Sequence, residues 1–281
     1  MDKKESEMMD NEKKVSTAGS KKKIVIAAMV IIVIIFVAVG AALVNLSAPS
    51  TSINQGGEDT EEAHKDMDFN MMFQSSVNKS LEILETDPDN LEALRSIAST
   101  YYMWAVQIHE GSMQSEYSDE ELFQKSADYY ERAVELDPSD LQTIAHLGYT
   151  YFDWAQHLNS GDNADKTKEL YEKSIKAFDS AKAGEGNAIT DEEVSNMTIN
   201  KAIALLALDK VDEGIAILEE LRLTDENNPT LLINLGIFYE TKGDSTKAKE
   251  CYESAHSIAH EAGNDDLASV AQERIDALSS K

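Results

Sequence analysis

The stretch YYMWAVQI, beginning at Tyr101, returns as YFDWAQHL from Tyr151, fifty residues on. The echo is wider than eight residues: FQSSVNKSLEILETDPDNL from Phe73 is matched by FQKSADYYERAVELDPSDL from Phe123, and LYEKS at Leu170 resembles LFQKS at Leu122. Self-similarity at this spacing marks an array of like supersecondary units, each of which buries its apolar face only by stacking on the next. Composition supplies the material of the unit. With 4 Pro, 13 Gly and 7% aromatics in 281 residues, and long stretches dense in Ala, Leu, Glu and Lys, the chain suits helices better than a sandwich or barrel.

A different segment precedes the array. Ile24 to Val44, IVIAAMVIIVIIFVAVGAALV, carries no charge, and at about 1.5 Å per residue its helix spans roughly the hydrocarbon thickness of a bilayer. Lys21, Lys22 and Lys23 abut its start, whereas no Lys or Arg follows until Lys65. That asymmetry predicts a cytoplasmic tail at 1–23, a transmembrane helix at 24–44, and the bulk of the chain outside the cytoplasm. A cleaved signal peptide is the competing reading, with AVGAA near Ala38 as small residues, but the apolar run exceeds the usual signal core. Residues 45–66 are Ser, Gly and acid with little to bury, and read as a flexible acidic stalk. The net charge is −27 and the tail at 1–23 carries +2, so the rest of the chain carries −29, which argues against nucleic acid as a partner.

The repeat resembles the tetratricopeptide family, a helix–turn–helix unit of about 34 residues with a Trp-x-x-Leu-Gly-x-x-Tyr…Ala-x-x-x-Phe…Pro pattern. From Pro229, Leu232, Leu235, Gly236 and Tyr239 take the first-helix positions, and Ala248, Tyr252 and Ala255 the second. The copy from Leu91 has Leu94, Ile97, Ala98 and Tyr101, then Ser126, Tyr130, Ala133 and Pro138. The copy from Leu141 has Ile144, Leu147, Gly148 and Tyr151, then Ser174, Phe178 and Ala181. A degenerate copy near Ser195 keeps Ala202, Leu205, Gly214, Leu218 and Leu221. The resemblance implies an all-α solenoid of antiparallel helix pairs over 67–262, with a half-repeat at 67–90 and repeats at 91–140, 141–188, 195–228 and 229–262. A capping helix is expected at 264–281, where Leu267, Val270, Ala271, Ile275 and Leu278 share one side. The longer period arises from residues inserted between the two helices of a unit. The first helix is expected to continue through Trp104 to about His109, with Gly111 as its stop, before a capping box at Ser118–Glu121 starts the second. Trp104 and Trp154 then fall on equivalent faces of neighbouring extensions, as core or as a ligand-facing ledge.

Catalytic signatures are not found. The sequence shows no Gly-rich phosphate loop, nucleophile elbow or calcium loop, and one Cys excludes a multi-Cys metal centre. His256 and His260 have ligand spacing but lack the glutamate of a zinc-protease helix, so neither metal nor cofactor is expected. Asn78 and Asn196 begin glycosylation triplets of low specificity.

Binding is what the resemblance implies instead, along the face lined by first helices. The lining positions carry over to Arg95, Ser99 and Tyr102, then Ala145, Tyr149 and Phe152, then Ile199 and Ile203, then Ile233 and Ile237. His146, Asn200 and Asn234 sit beside them. Such a trough suits an amphipathic or basic protein segment. The expected function is a membrane-anchored, non-catalytic scaffold on the extracytoplasmic side of a bacterial membrane. The alternatives are a receptor or holdase for emerging polypeptides near a translocon, or a mitochondrial import receptor of opposite topology.

Overall fold

The computed structural model describes residues 61–111, 114–158, 163–183 and 189–280, with side chains from Phe69 onward. The tail at 1–23, the apolar segment at 24–44 and the stalk up to residue 60 lie outside the described residues. Among those described, no helix is long and apolar enough to cross a membrane. The described residues form ten α-helices and no strand. These are α1 (Glu61–Thr86), α2 (Leu91–His109), α3 (Asp119–Leu136), α4 (Leu141–Leu158), α5 (Ala164–Ala183), α6 (Asp191–Ala207), α7 (Val211–Arg222), α8 (Pro229–Lys242), α9 (Ser245–Glu261) and α10 (Asp265–Ser279). Residues 61–66, expected as stalk, are helical. The chain divides into two compact units, Pro49–Ala204 and a second that holds Leu205–Lys281.

In the N-terminal unit α1 and α2 run antiparallel. Ser80 Oγ donates to Ser96 Oγ at 3.1 Å, and Ser76 and Thr100 hydroxyls meet at 3.4 Å, so pairing advances along α2 as it retreats along α1. The contact recurs fifty residues on, with Ser126 and Thr150 hydroxyls 3.5 Å apart between α3 and α4. The turns are built by local side chains. Asn90 caps α2 by accepting from Ala93 N at 2.9 Å, and Asp140 accepts from Thr143 N at 3.2 Å at the start of α4. Gly111 takes a left-handed φ of 67° just past the end of α2, and Ser118 with Glu121 closes a full capping box on α3. Both tryptophans are core, each 2% exposed. Trp104 stacks on Phe73 at 5.7 Å and donates its indole N–H to Asn70 at 2.9 Å, while Lys166 lies 4.4 Å over the Trp154 ring.

The C-terminal unit is tighter. Asn228 caps α8 with Pro229 in its first turn, and Gly243 ends it at φ 89°. A Cβ added to Gly214 would lie 2.1 Å from the Phe238 ring, and one added to Gly236 would lie 2.4 Å from the Tyr252 ring. Aromatic faces thus occupy the space that side chains at these crossings would need. Tyr239 donates to Glu219 at 2.6 Å and Tyr252 to Glu240 at 3.1 Å, so each buried ring keeps its hydroxyl satisfied. Cys251 is buried in α9, and burial pushes its thiol up to about 11.

Candidate functional site

The residues expected to line a partner-binding groove divide between exposed and buried places. In the N-terminal unit Arg95 and His146 are exposed, and Ser99, Tyr102 and Tyr149 half-buried. Arg95 is ion-paired with Asp140 at 2.5 Å, which fixes the guanidinium beside the start of α4. The Ser99 hydroxyl is returned to its own helix, donating to Ser96 O at 3.1 Å. His146 lies 5.9 Å from the Tyr130 ring, and its pKa is lowered by loss of solvent against the opposing pull of Glu193 and Asp140.

Phe152 does not line a groove. It is 0% exposed, with its ring set edge-on to Tyr171 of α5 at 6.0 Å. Eleven of the 18 residues of α4 are buried, so the helix after it claims the face that a single apolar stripe would leave free. Ala145 is buried as well, as are Ile199, Asn200 and Ile203 of α6 and Ile233, Asn234 and Ile237 of α8. Every residue of α8 from Leu231 to Tyr239 is buried. A helix apolar on all sides is an interior helix, and Asn234 is carried inward with it, while Asn200 lies in the buried run of α6. Asn234 donates its amide to Thr230 O at 2.9 Å, but its carbonyl oxygen, like that of Asn200, has no hydrogen-bond partner among the described residues.

One charged residue that the sequence reading passed over stands at the centre of what remains. Asp153, on α4, accepts from the Tyr102 hydroxyl of α2 at 2.6 Å. Burial raises its carboxyl pKa to about 6, with the Tyr102 hydrogen bond opposing the rise. Burial and the Asp153 charge together push Tyr102 well above the usual phenol range. Tyr149 and Tyr171 also sense the Asp153 charge. Both of their hydroxyls are buried and unpartnered among the described residues. Glu193 adds a second negative charge near His146 and Tyr149, held in place by a capping box in which it accepts from Thr190 N at 2.7 Å. The floor of this face is therefore acidic and phenolic, and at neutral pH Asp153 is an anion whose hydrogen-bond partner is a neutral hydroxyl. The sequence held a signal for it: Asp153 replaces Met103 within the fifty-residue echo.

Two stretches of the chain, residues 115–140 and 229–259, match the family model of the tetratricopeptide repeat, one in each unit. No curated protein matches the chain. Among solved structures, it is similar to the crystal structure of MamA at 16% identity and a TM-score of 0.48, over 75% of this chain and 99% of that one. It is similar to TTC0263, a thermophilic tetratricopeptide-repeat protein of Thermus thermophilus, at 16% identity and a TM-score of 0.47, over 76% and 98%. It is also similar to PilW, a widely conserved type IV pilus biogenesis factor, at 15% identity and a TM-score of 0.46, over 77% and 91%. Likeness at this level bears on neither partner nor role. Repeats of the matched kind typically serve as protein-interaction scaffolds and are generally not catalytic.

Proposed function

We propose that this repeat-bearing chain is a membrane-anchored, non-catalytic scaffold that holds a protein or peptide segment against the N-terminal unit. The segment presents a basic side chain to Asp153. The observation that carries this reading is the carboxylate itself, sunk among tyrosines and hydrogen-bonded to the Tyr102 hydroxyl at 2.6 Å, with burial raising its pKa to about 6. A Lys or Arg from a partner supplies the opposite charge and forms a charge-assisted hydrogen bond. Tyr149 flanks the place, and aromatic side chains of this kind often dominate binding energy. The anchor at 24–44 and the Lys triplet before it support placement outside the cytoplasm.

The test is photocrosslinking from position 149 of the full-length chain in its native membrane, followed by mass spectrometry. One recurrent partner with a basic segment is expected, and its loss in Asp153→Asn at unchanged circular dichroism. A folded Asp153→Asn chain that keeps its partner would overturn the site. Many unrelated unfolded clients would favour a holdase instead. Protease added outside spheroplasts should remove the repeats, and a domain that stays protected until the membrane is opened would overturn the topology.

A further inference from the structure

At the far ends of the lengthened helices, three metal-ligating side chains meet from three different helices. His109 closes α2, Asp119 opens α3 and His157 stands in the last turn of α4. The Nδ1 atoms of His109 and His157 lie 2.5 Å apart, with the rings perpendicular and their centroids 4.4 Å apart. His157 Nε2 is 3.0 Å from Asp119 Oδ1, and His109 Nδ1 is 3.7 Å from Asp119 Oδ2. One ligand atom from each residue can be chosen so that all three lie within 4.8 Å of one another.

The convergence is not an accident of the repeat. Fifty residues after His109 stands Asn159, and fifty before His157 stands Gln107, so the two imidazoles come from non-equivalent positions. Two imidazole lone pairs this close need a proton or a cation between them.

We propose that His109, His157 and Asp119 form a binding site for a divalent transition metal of the zinc class. Two imidazole nitrogens at about 2.0–2.1 Å from a tetrahedral ion stand about 3.3 Å apart, an opening of under an ångström from the present contact. Asp119 on His157 Nε2 is the carboxylate partner that commonly orients a metal-bound histidine, and its second oxygen is near enough to bind the same ion. Imidazole with a single carboxylate selects zinc, nickel, cobalt or copper over magnesium and calcium, which prefer all-oxygen shells. His109 is partly exposed, so water completes the coordination. An ion there ties the ends of α2, α3 and α4 together. This departs from the absence of metal expected from the sequence, where only His256 and His260 have ligand spacing.

The test is titration of the full-length chain in detergent with cobalt(II) chloride, read by visible ligand-field absorption and reversed by zinc chloride. Saturable binding of one ion per chain is expected. His109→Gln or His157→Gln should remove it, and Asp119→Asn should weaken it about 10–100-fold. Circular dichroism establishes that each variant is folded, and His256→Ala with His260→Ala serves as the control, in which binding is retained. No saturable binding by the native chain, or binding that survives in a folded His109→Gln/His157→Gln chain, would overturn the site. So would displacement of cobalt by millimolar magnesium.

Discussion

The first helices of the two units differ in length and in what the length carries. In the N-terminal unit α2 has 19 residues and α4 has 18, whereas α8 in the C-terminal unit has 14. In α8 a continuous run from Leu231 to Tyr239 is buried, and its neighbours approach so closely that Gly236 is required. The longer helices use their first turns for the same packing, through Ile97, Ala98, Leu147 and Gly148. Their later turns carry Tyr102, Asp153, His109 and His157, groups that a core has no use for. The turns beyond the crossing still bury Trp104, Phe152 and Trp154, and on their other sides they hold polar and titratable side chains in fixed register without weakening the crossing itself.

The strongest way to break this comparison is at Phe152, on the boundary between the two uses of α4. If it is core, Phe152→Ala removes a fully buried ring and lowers stability by about 3–5 kcal/mol in urea denaturation of the full chain. A loss below about 1 kcal/mol would return that position to the exposed face.

The glycines come next. Gly236→Leu should lower stability by about 1–3 kcal/mol or more, because the Tyr252 ring is buried and cannot swing away. Gly148→Leu should do less damage, since its added Cβ would lie 2.7 Å from the Phe178 ring rather than 2.4 Å from Tyr252. Equal midpoints for the two variants would mean that the C-terminal unit is no tighter than the N-terminal one.

Asp153 sharpens the comparison through pH. Its folded pKa of about 6 lies above the ordinary carboxyl value of 3.8, so its contribution to stability is fully present below about pH 4. That contribution is lost as pH rises through 6. Asp153→Asn, which has no charge to bury, should therefore gain up to about 3 kcal/mol over the native chain at pH 7.5 and nothing at pH 3.5. A constant difference across that range, measured by thermal melts in matched salt, would rule out a raised Asp153. The smallest effect is expected at Arg95, whose side chain is 44% exposed in its ion pair with Asp140. Arg95→Ala should change stability by about 0.5 kcal/mol, and a change above about 1.5 kcal/mol in denaturant melts would show that the pair does more than close a surface gap.

Much of the helical frame was readable from residue chemistry. Local rules decide it: Gly111 accepts the left-handed turn after α2, Ser118 and Glu121 satisfy each other's backbone groups, and Asn228 with Pro229 starts α8. The apolar spacing of α10 likewise announces a helix at Asp265–Ser279. Side-chain direction beyond the first stripe was not readable in this way. Phe152 follows Tyr151 by about 100° of helix, which is enough to clear one neighbouring helix but not the second, α5. Asn200 and Asn234 read as polar groups for a ligand, yet Asn234 sits in α8, buried continuously from Leu231 to Tyr239, and Asn200 lies in the buried run of α6. The meeting of His109, Asp119 and His157 depends on where three helices end, which no pairwise spacing along the chain encodes.

Cys251 has a consequence for watching this molecule move. It is the chain's single thiol, closed inside α9 with its pKa pushed to about 11, so at pH 8 only on the order of one molecule in a thousand presents a thiolate. An opened repeat exposes an ordinary thiol, which an alkylating reagent captures many times faster. The chain therefore contains its own clock for the opening of its C-terminal repeat, read from the rate at which a single label is taken up, with no second cysteine to blur the count.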